Sequence, residues 1–453
     1  MPDNNTTAGT SPARSVNIGS VQTELVAIAD LKLYPGNPRV HSKRQLKQLT
    51  ASIAEFGFLV PIVTWDDNEV VTGHARIEAA KALGMTELPT VRASHLAVDQ
   101  IKAFRIADNR LAEKASWDIE LLGAELQGLA DLDFTVELTG FDTAEIDQVL
   151  QDAEAMKTKA ATGLAERIPA AQPVAVTQLG DVWTLGRHRL ICGDSTKAET
   201  YADLMQGGQA DMVFTDAPYN VAIEGFVSGS GAHREFIMGA GEMSKAQFRT
   251  FLEEAHREMA FVCKDGAIIH SCMDWRSIHL LIQVGETLEF ELKNLVVWRK
   301  SNAGQGSFYR SQHELIAVFK VGSAPHTNTF GLGETGRYRT NVWDYAGANT
   351  FSKSRKSDLA MHPTVKPVAL VSDAILDVTH RGEVVLDPFG GSGTTLIAAQ
   401  KVGRIARLIE LDPIYCDVIV RRWQAFTGQK AIRAADGVAF EDVEMPSSAM
   451  EMA

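Results

Sequence analysis

The apolar run Ala210–Thr215 ends at Asp216-Ala217-Pro218-Tyr219-Asn220, which sets a carboxylate, a backbone carbonyl and an aromatic ring within four residues. That combination suits alkylation of an exocyclic amino group on a nucleobase. The amino nitrogen is a poor nucleophile because its lone pair is delocalised into the ring. Two acceptors that take hydrogen bonds from both N–H groups draw it toward tetrahedral geometry, and Asp216 with the Ala217 carbonyl supplies two. Tyr219 adds a stacking face, and such stacking contributes about 1–3 kcal/mol per base. This offsets part of the few kcal/mol needed to flip a base out of a duplex. Taken alone, the tetrapeptide also fits an ordinary Asp-Pro turn.

A second candidate lies further on. The stretch Glu383-Val384-Val385-Leu386-Asp387 reads as a strand running into Pro388-Phe389-Gly390-Gly391-Ser392-Gly393-Thr394-Thr395, and a helix follows. Glycines there let the backbone pass close to a ligand at the carboxyl end of the strand. A phosphate-binding P-loop needs a lysine that is missing here, and a dinucleotide fingerprint needs glycine where Leu396 stands. Glu410 falls 23 residues after Asp387, about one helix and one strand away. A carboxylate there can accept from both hydroxyls of an adenosine ribose. The alternative is a sheet-end turn with a solvent-facing glutamate.

These residues need a sheet to hold them. From about Val174 to Gly437 the chain alternates strands and helices, with strands expected at 210–216, 266–272, 292–298, 314–320, 383–389 and 404–411. Several are nearly continuous apolar runs, as strands covered on both faces are, so a doubly wound α/β sheet is expected. Upstream, Ser42 can cap a helix bearing Leu46, Leu49, Ile53 and Phe56 on one face. Residues 60–65 and 69–73 read as a hairpin across Asp66-Asp67-Asn68, followed by a helix from His74 closed by Gly84 and a strand over 87–93. The expected organisation is a disordered tail over 1–22, an α/β module over 23–115, an acidic helical extension over 116–152, a linker over 153–173, the main sheet domain over 174–437 and a disordered tail over 438–453.

At 453 residues the chain has room for about three domains. No run of 18 uncharged apolar residues reads as a membrane span, and the amino-terminal segment does not read as a secretory signal. The four cysteines form no CxxC pair, which speaks against a disulfide scaffold or zinc knuckle and fits a reducing cytoplasm; no metal is expected. A net charge of −13 argues against nucleic acid until its distribution is considered. Residues 116–170 hold 12 Asp/Glu against 3 Lys/Arg, whereas Trp298–Pro367 holds 10 Lys/Arg against 4 Asp/Glu. A basic stretch acts locally, within a Debye length, so this one can face a polyanion; it can equally be a mixed solvated surface.

With the Asp-x-Pro-Tyr turn and the glycine loop on one sheet, residues 174–435 resemble the amino-group DNA methyltransferases, which use S-adenosylmethionine to methylate N6 of adenine or N4 of cytosine. The turn precedes the loop by 171 residues, an order similar to the permuted β group of that family. The resemblance implies a Rossmann-like methyltransferase sheet and roles for individual residues. Cys192-Gly193-Asp194-Ser195 resembles the segment that holds the cofactor's adenine, with Asp194 accepting from its amino group. His362-Pro363-Thr364-Val365-Lys366-Pro367 resembles the family segment placed beside the cofactor's methionine. Asp387, Phe389, Gly391 and Thr394 are implied to surround that methionine, and Glu410 to bind the ribose. Ala217 departs from the family, which usually has proline there; the backbone carbonyl remains, and the fixed φ of proline is lost. Between the two halves, Arg310, Arg337 and Arg339 interleave with Tyr, Asn and Trp, and Lys353, Arg355 and Lys356 form a short basic run. These are expected to contact DNA, the last three through the backbone.

Residues 25–115 resemble the ParB and sulfiredoxin superfamily through Asn37-Pro38-Arg39 and Val70-Val71-Thr72-Gly73-His74-Ala75-Arg76. Gly73 allows a tight turn into a helix whose amino end, with Arg76, favours an anion. ParB-type domains use this element for cytidine triphosphate; sulfiredoxin chemistry needs a cysteine that the segment lacks. A nucleotide held by Gly73, His74 and Arg76 and a purely structural turn both stay open.

The reading is an α/β DNA methyltransferase, site-specific, acting on N6 of adenine in double-stranded DNA with base flipping, because the family more often pairs Asp at the first position of the turn with adenine. N4 of cytosine is the alternative, and a non-catalytic ParB-like DNA-binding regulator is a reading of another class. Methylation of RNA or of a protein glutamine is a third. The resemblance allows a homodimer and a cytoplasmic, nucleoid-associated location.

Overall fold

The central strands of the main sheet, such as Ala210–Thr215 and Val384–Asp387, are largely apolar, and their side chains alternate between two helical layers. The computed structural model describes residues 22–39, 41–112, 114–132, 134–157, 165–221, 239, 241–301, 303, 308–330, 339–346 and 365–444. Two compact units divide between Asp142 and Thr143.

In the first unit the strands are β1 (Thr23–Ala27), β2 (Ile62–Thr64), β3 (Val70–Thr72) and β4 (Glu87–Arg92), ordered β1-β4-β2-β3. The helices are α1 (Lys43–Phe56), α2 (His74–Ala82), α3 (Val98–Ala112) and α4 (Ile119–Asp131). Ser42 caps α1 by accepting from the Gln45 N–H. The β2–β3 hairpin turns at Asp67 and Asn68, both left-handed. Ile62, Val70, Ile77, Ala80 and Leu88 form the core of this unit.

The second unit holds a ten-stranded sheet among the described residues. Its strands are β5 (Val182–Leu185), β6 (His188–Cys192), β7 (Ala210–Thr215), β8 (Cys263–Met273), β9 (Glu291–Arg299), β10 (His313–Lys320), β11 (Val342–Asp344), β12 (Val384–Asp387), β13 (Ile405–Glu410) and β14 (Ile432–Arg433). The order is β11-β9-β10-β8-β7-β12-β13-β6-β5-β14, with β8, β7, β12, β13 and β6 mutually parallel. Met212 and Phe214 face a layer built by α9 (Val368–Val378), α10 (Thr394–Lys401) and α11 (Pro413–Thr427). Val213 faces the other, built by α6 (Ala198–Met205), α7 (Lys245–Phe261) and α8 (Ile278–Thr287). From β7 the chain proceeds outward to β8, and from β12 outward to β13, so the crevice where ligands bind such sheets opens between β7 and β12.

Three expected boundaries need correction. The stretch 116–152 is not one extension: α4 belongs to the first unit, whereas α5 (Thr143–Lys157) belongs to the second. The cause is a buried ion pair, in which Asp147 accepts from both Arg404 Nη atoms at 2.9 Å. The expected linker is anchored over its second half, where the Ala165 carbonyl accepts from Arg422 Nη2 at 2.8 Å and Ile168 is buried. The tail from 438 begins with a packed helix, α12 (Phe440–Glu444), whose Phe440 ring meets Trp183 edge-on at 5.1 Å.

Arg404 is fully buried, so removing Asp147 strands a guanidinium away from water. The expected result for Asp147→Ala is a loss of about 3–5 kcal/mol in chemical denaturation of the second unit. A loss below about 1 kcal/mol would show the pair contributes nothing net to folding.

Candidate active site

The Asp216 turn leaves the carboxyl end of β7, and its shape is held from behind. Asn220, left-handed at φ 55°, donates its side-chain amide to the Met243 carbonyl at 2.7 Å and accepts from the Met243 and Gly241 N–H groups. Gly239 passes so close that a Cβ there would lie 2.9 Å from Pro218. The Ala217 methyl is buried among apolar neighbours.

A charge cluster stands behind this turn. The Lys366 ammonium donates to Asp216 Oδ2 at 2.5 Å and to the Tyr219 hydroxyl at 3.2 Å, and it pairs with Glu314 Oε2 at 3.0 Å. The Tyr219 hydroxyl lies 2.7 Å from Asp216 Oδ1 and 3.2 Å from Glu314 Oε2. Glu314 also accepts from Lys300, whose ammonium lies 4.6 Å from the centre of the Trp298 ring. Burial works against the charge on Lys366, but Asp216 and Glu314 outweigh it and hold the ammonium above its ordinary range. Burial likewise opposes the charge on Glu314, yet Lys366 and Lys300 keep that carboxylate below its usual range. Burial, with Asp216 and Glu314 adding to it, pushes the Tyr219 phenol well up, so it stays a neutral donor.

On the adjacent strand β12 the glycine loop folds back over β13. Gly390 donates to the Ile409 carbonyl at 2.8 Å and Gly391 to Glu410 Oε2 at 2.7 Å. Gly391 and Gly393 take positive φ, which favours glycine. A Cβ at Gly390 would stand 3.1 Å from Ile419 Cδ1 and 3.3 Å from that Ile409 oxygen, a tight fit where the loop meets the strand. Asp387 accepts from the Thr395 hydroxyl at 2.6 Å and the Phe389 N–H at 3.1 Å. Burial pushes Asp387 up to about 8, against those two hydrogen bonds and aided by Asp216 and Glu410. Burial pushes Glu410 up to about 7, opposed by the Asp412 and Gly391 N–H groups. Across β6, Asp194 Oδ1 accepts from the Thr196 N–H and hydroxyl at 2.8 Å each, while Ser195 is buried with its carbonyl bound to Tyr201.

All twelve residues expected in the catalytic and cofactor sets line one cleft. Two buried acids whose ionisation burial resists are an environment that favours a cation, and a sulfonium or an α-ammonium fits it. The glycine loop, kept free of side chains, fits a ligand pressed against backbone. Lys366, expected beside the methionine, instead has its ammonium on Asp216. Glu314 and Lys300 were not expected in the site. The available signal was an acid opening the otherwise apolar strand β10. Among the described residues no group of His, Cys, Asp or Glu is placed to hold a metal ion. No helix among them is long and apolar enough to cross a membrane.

The DNA-contact set fares differently. Arg310 is exposed beside Phe308 and Tyr309, which are also exposed, and donates to the Ala303 carbonyl at 3.2 Å. Arg339 is a correction: its guanidinium bonds Asp377 at 2.8 Å and lies over the Trp343 ring, so its charge is spent inside the fold. Arg337, Lys353, Arg355 and Lys356 lie outside the described residues, as do His362, Pro363 and Thr364.

In the first unit Gly73, left-handed at φ 102°, turns β3 into α2 and sets His74 beside Arg105. His74 Nε2, Arg76 Nε and Arg105 Nε are buried without hydrogen-bond partners among the described residues. Burial first, then Arg105 and His41, holds His74 below its ordinary range. Arg105, which sequence reasoning missed, stacks 3.6 Å from the centre of Tyr34 and pairs with Glu69.

Comparison with known proteins places three families along the chain. Residues 210–421 match a DNA methylase family of N6 and N4 enzymes, 120–179 a ParB-methyltransferase HTH domain and 13–108 the ParB N-terminal domain. The chain is 26% identical over 231 residues to the Type II methyltransferase M2.MboI of Moraxella bovis, covering 49% of this chain and 83% of that one. It is 27% identical over 266 residues to the putative methylase YubD of Escherichia coli (strain K12), covering 58% and 99%. Among solved structures, the cytosine-N4-specific PvuII DNA methyltransferase aligns at 13% identity and a TM-score of 0.42, covering 61% of this chain and 94% of that one.

The raised acids give a pH signature. A folded chain that holds protons on Asp387 and Glu410 where an unfolded chain has released them loses stability as pH rises from the ordinary carboxylate range toward about 8. A cationic ligand reverses the preference, because it binds the ionised acids. Calorimetry between pH 6 and 9 is expected to show S-adenosylmethionine binding tightening at least about tenfold, one pKa unit's worth, and less so in Asp387→Asn. Affinity flat across that range would remove the acids from the site.

Proposed function

We propose that this chain, a DNA methyltransferase of the N6/N4 family behind a ParB-like N-terminal domain, methylates N6 of adenine at a defined sequence in double-stranded DNA. The observation that carries the reading is the parallel pairing of β7 with β12. It sets the Asp216 carboxylate and Ala217 carbonyl at the same edge as the glycine loop, facing one cleft. In this reading Glu410 holds the ribose, and Asp194 and Ser195 hold the adenine of the cofactor. Asp387, Phe389, Gly391 and Thr394 surround its methionine. When bound, S-adenosylmethionine supplies an electrophilic methyl group on a sulfonium whose positive charge disappears on transfer.

The chain's own residues do the rest. Asp216 and the Ala217 carbonyl accept from the two N–H groups of the target amine and orient its lone pair toward the cleft. Pro218 fixes the backbone of the turn, and Tyr219 gives the extruded base a face. The amine's surplus proton passes to Asp216. Positioning and preorganised acceptors carry the acceleration. The DNA lies along the basic stretch that includes Arg310 and the exposed Phe308 and Tyr309. Adenine is preferred because Asp stands first in the turn, and the relatives named Type II methyltransferases support a short, defined target.

A second reading concerns the amino-terminal unit, where the unpartnered nitrogens of His74, Arg76 and Arg105 support an anionic ligand such as a nucleotide. Cytidine triphosphate is expected to raise the melting temperature of the chain, and Arg76→Ala to abolish the rise. No rise with any nucleoside triphosphate would leave Gly73 a structural turn.

Methylation-free DNA incubated with methyl-labelled S-adenosylmethionine is expected to yield labelled N6-methyladenine by nucleoside mass spectrometry. Asp216→Ala is expected to lower that yield at least about 100-fold, the scale of losing one preorganised transition-state partner, while leaving cofactor affinity within a few-fold. Labelled N4-methylcytosine would keep the mechanism and change the base. No label on DNA of varied sequence would favour a DNA-binding regulator.

A further inference from the structure

Lys366 and the target amine need the same oxygen. Lys366 bonds Asp216 Oδ2 at 2.5 Å, and Asp216 Oδ1 is already 2.7 Å from the Tyr219 hydroxyl. An incoming amino group therefore meets an acceptor whose oxygens are both engaged. To free Oδ2 the lysine must move, and a buried ammonium cannot give up its counter-ion without another in place. Glu314 is that other. It lies on β10, separated from β7 by β8 and opposite Trp298 of β9 in the ladder, with Oε2 3.0 Å from Lys366 Nζ. Lys366 has three N–H donors and three partners, Asp216, Tyr219 and Glu314, so yielding one leaves it a carboxylate and a hydroxyl. Tyr219 has one proton to share between Asp216 and Glu314, and Lys366 also donates to its oxygen. Lys300, lying over Trp298, fixes Glu314 from the far side.

We propose that Glu314 is a positioning residue for methyl transfer: it takes over Lys366 as the target amine arrives, so that Asp216 Oδ2 becomes free to accept the amine's N–H. The inference rests on the methyl-transfer reading above. It assigns Glu314 no contact with base or cofactor; the residue acts through Lys366. Without it, the ammonium has Asp216 as its sole carboxylate and competes with the substrate for it. The lysine still neutralises Asp216 in the empty site, so two carboxylates and a phenol can share a buried corner without repelling one another apart.

A double-variant cycle separates this from a packing role. Single-turnover methylation of methylation-free DNA is measured for the parent, Glu314→Gln, Lys366→Met and the double variant. Melting temperature and calorimetric affinity for S-adenosylmethionine are recorded for each. Glu314→Gln is expected to lower the melting temperature while the chain still folds, to leave cofactor affinity near the parent's, and to slow turnover at least tenfold. In the Lys366→Met background the same change is expected to cost less than threefold or to give a gain, since no ammonium remains to be held. A parent-like rate for Glu314→Gln, or an equal loss in both backgrounds, overturns the proposal. If the parent itself methylates nothing, the methyl-transfer reading fails instead.

Discussion

Everything in the candidate site depends on the parallel pairing of β7 with β12, two strands whose carboxyl ends lie 172 residues apart in sequence. Val385 lies beside Met212 and Leu386 beside Val213, so the Asp216 turn and the glycine loop emerge side by side. On either side of this pair the chain winds outward, which opens the crevice between them. A site made this way needs no long loop to bring its halves together. The two buried layers that flank the pair hold it rigid, because side chains alternate between them along every central strand.

That rigidity lets the sheet edge carry charges that water would otherwise screen. The edge divides into two electrostatic regions. Around the glycine loop, Asp387 and Glu410 are buried acids in need of a cation, satisfied in the meantime by backbone N–H groups and Thr395. Around the Asp216 turn the cluster is balanced, two carboxylates against Lys366 and Lys300. The first region is thus incomplete without a positively charged ligand. The second is already paired within itself, Lys366 holding Asp216 and Glu314 together. Burial raises the proton affinity of Asp387 and Glu410, whereas Lys366 and Lys300 outweigh burial and lower that of Glu314.

Much of this was legible in the residues. The Asp216 turn, the loop from Asp387 and the acid at Glu410 sit at strand ends that apolar runs mark out, and the spacing between Asp387 and Glu410 follows from one helix and one strand. The amino-terminal hairpin and its Gly73 turn announce themselves by local chemistry as well. What could not be read were partnerships between residues distant in sequence. Nothing near Asp147 signals that Arg404 will bury against it and draw α5 into the second unit. Arg339 has the composition of a DNA contact, yet Asp377 and Trp343 take its charge into the fold. Lys366 resembles a cofactor contact by motif, whereas its nearest oxygen belongs to Asp216, 150 residues earlier. Periodicity reports which face a residue occupies; it says nothing of which buried charge will meet which.

The most direct test of the central claim is a crystal structure of the chain with a target duplex and a non-reactive analogue of S-adenosylmethionine. The extruded base is expected with its exocyclic nitrogen about 3 Å, a hydrogen-bond distance, from both Asp216 Oδ2 and the Ala217 carbonyl, and Lys366 is expected to rest on Glu314. An extruded base held elsewhere in the cleft, or a duplex bound with no base extruded, would contradict it.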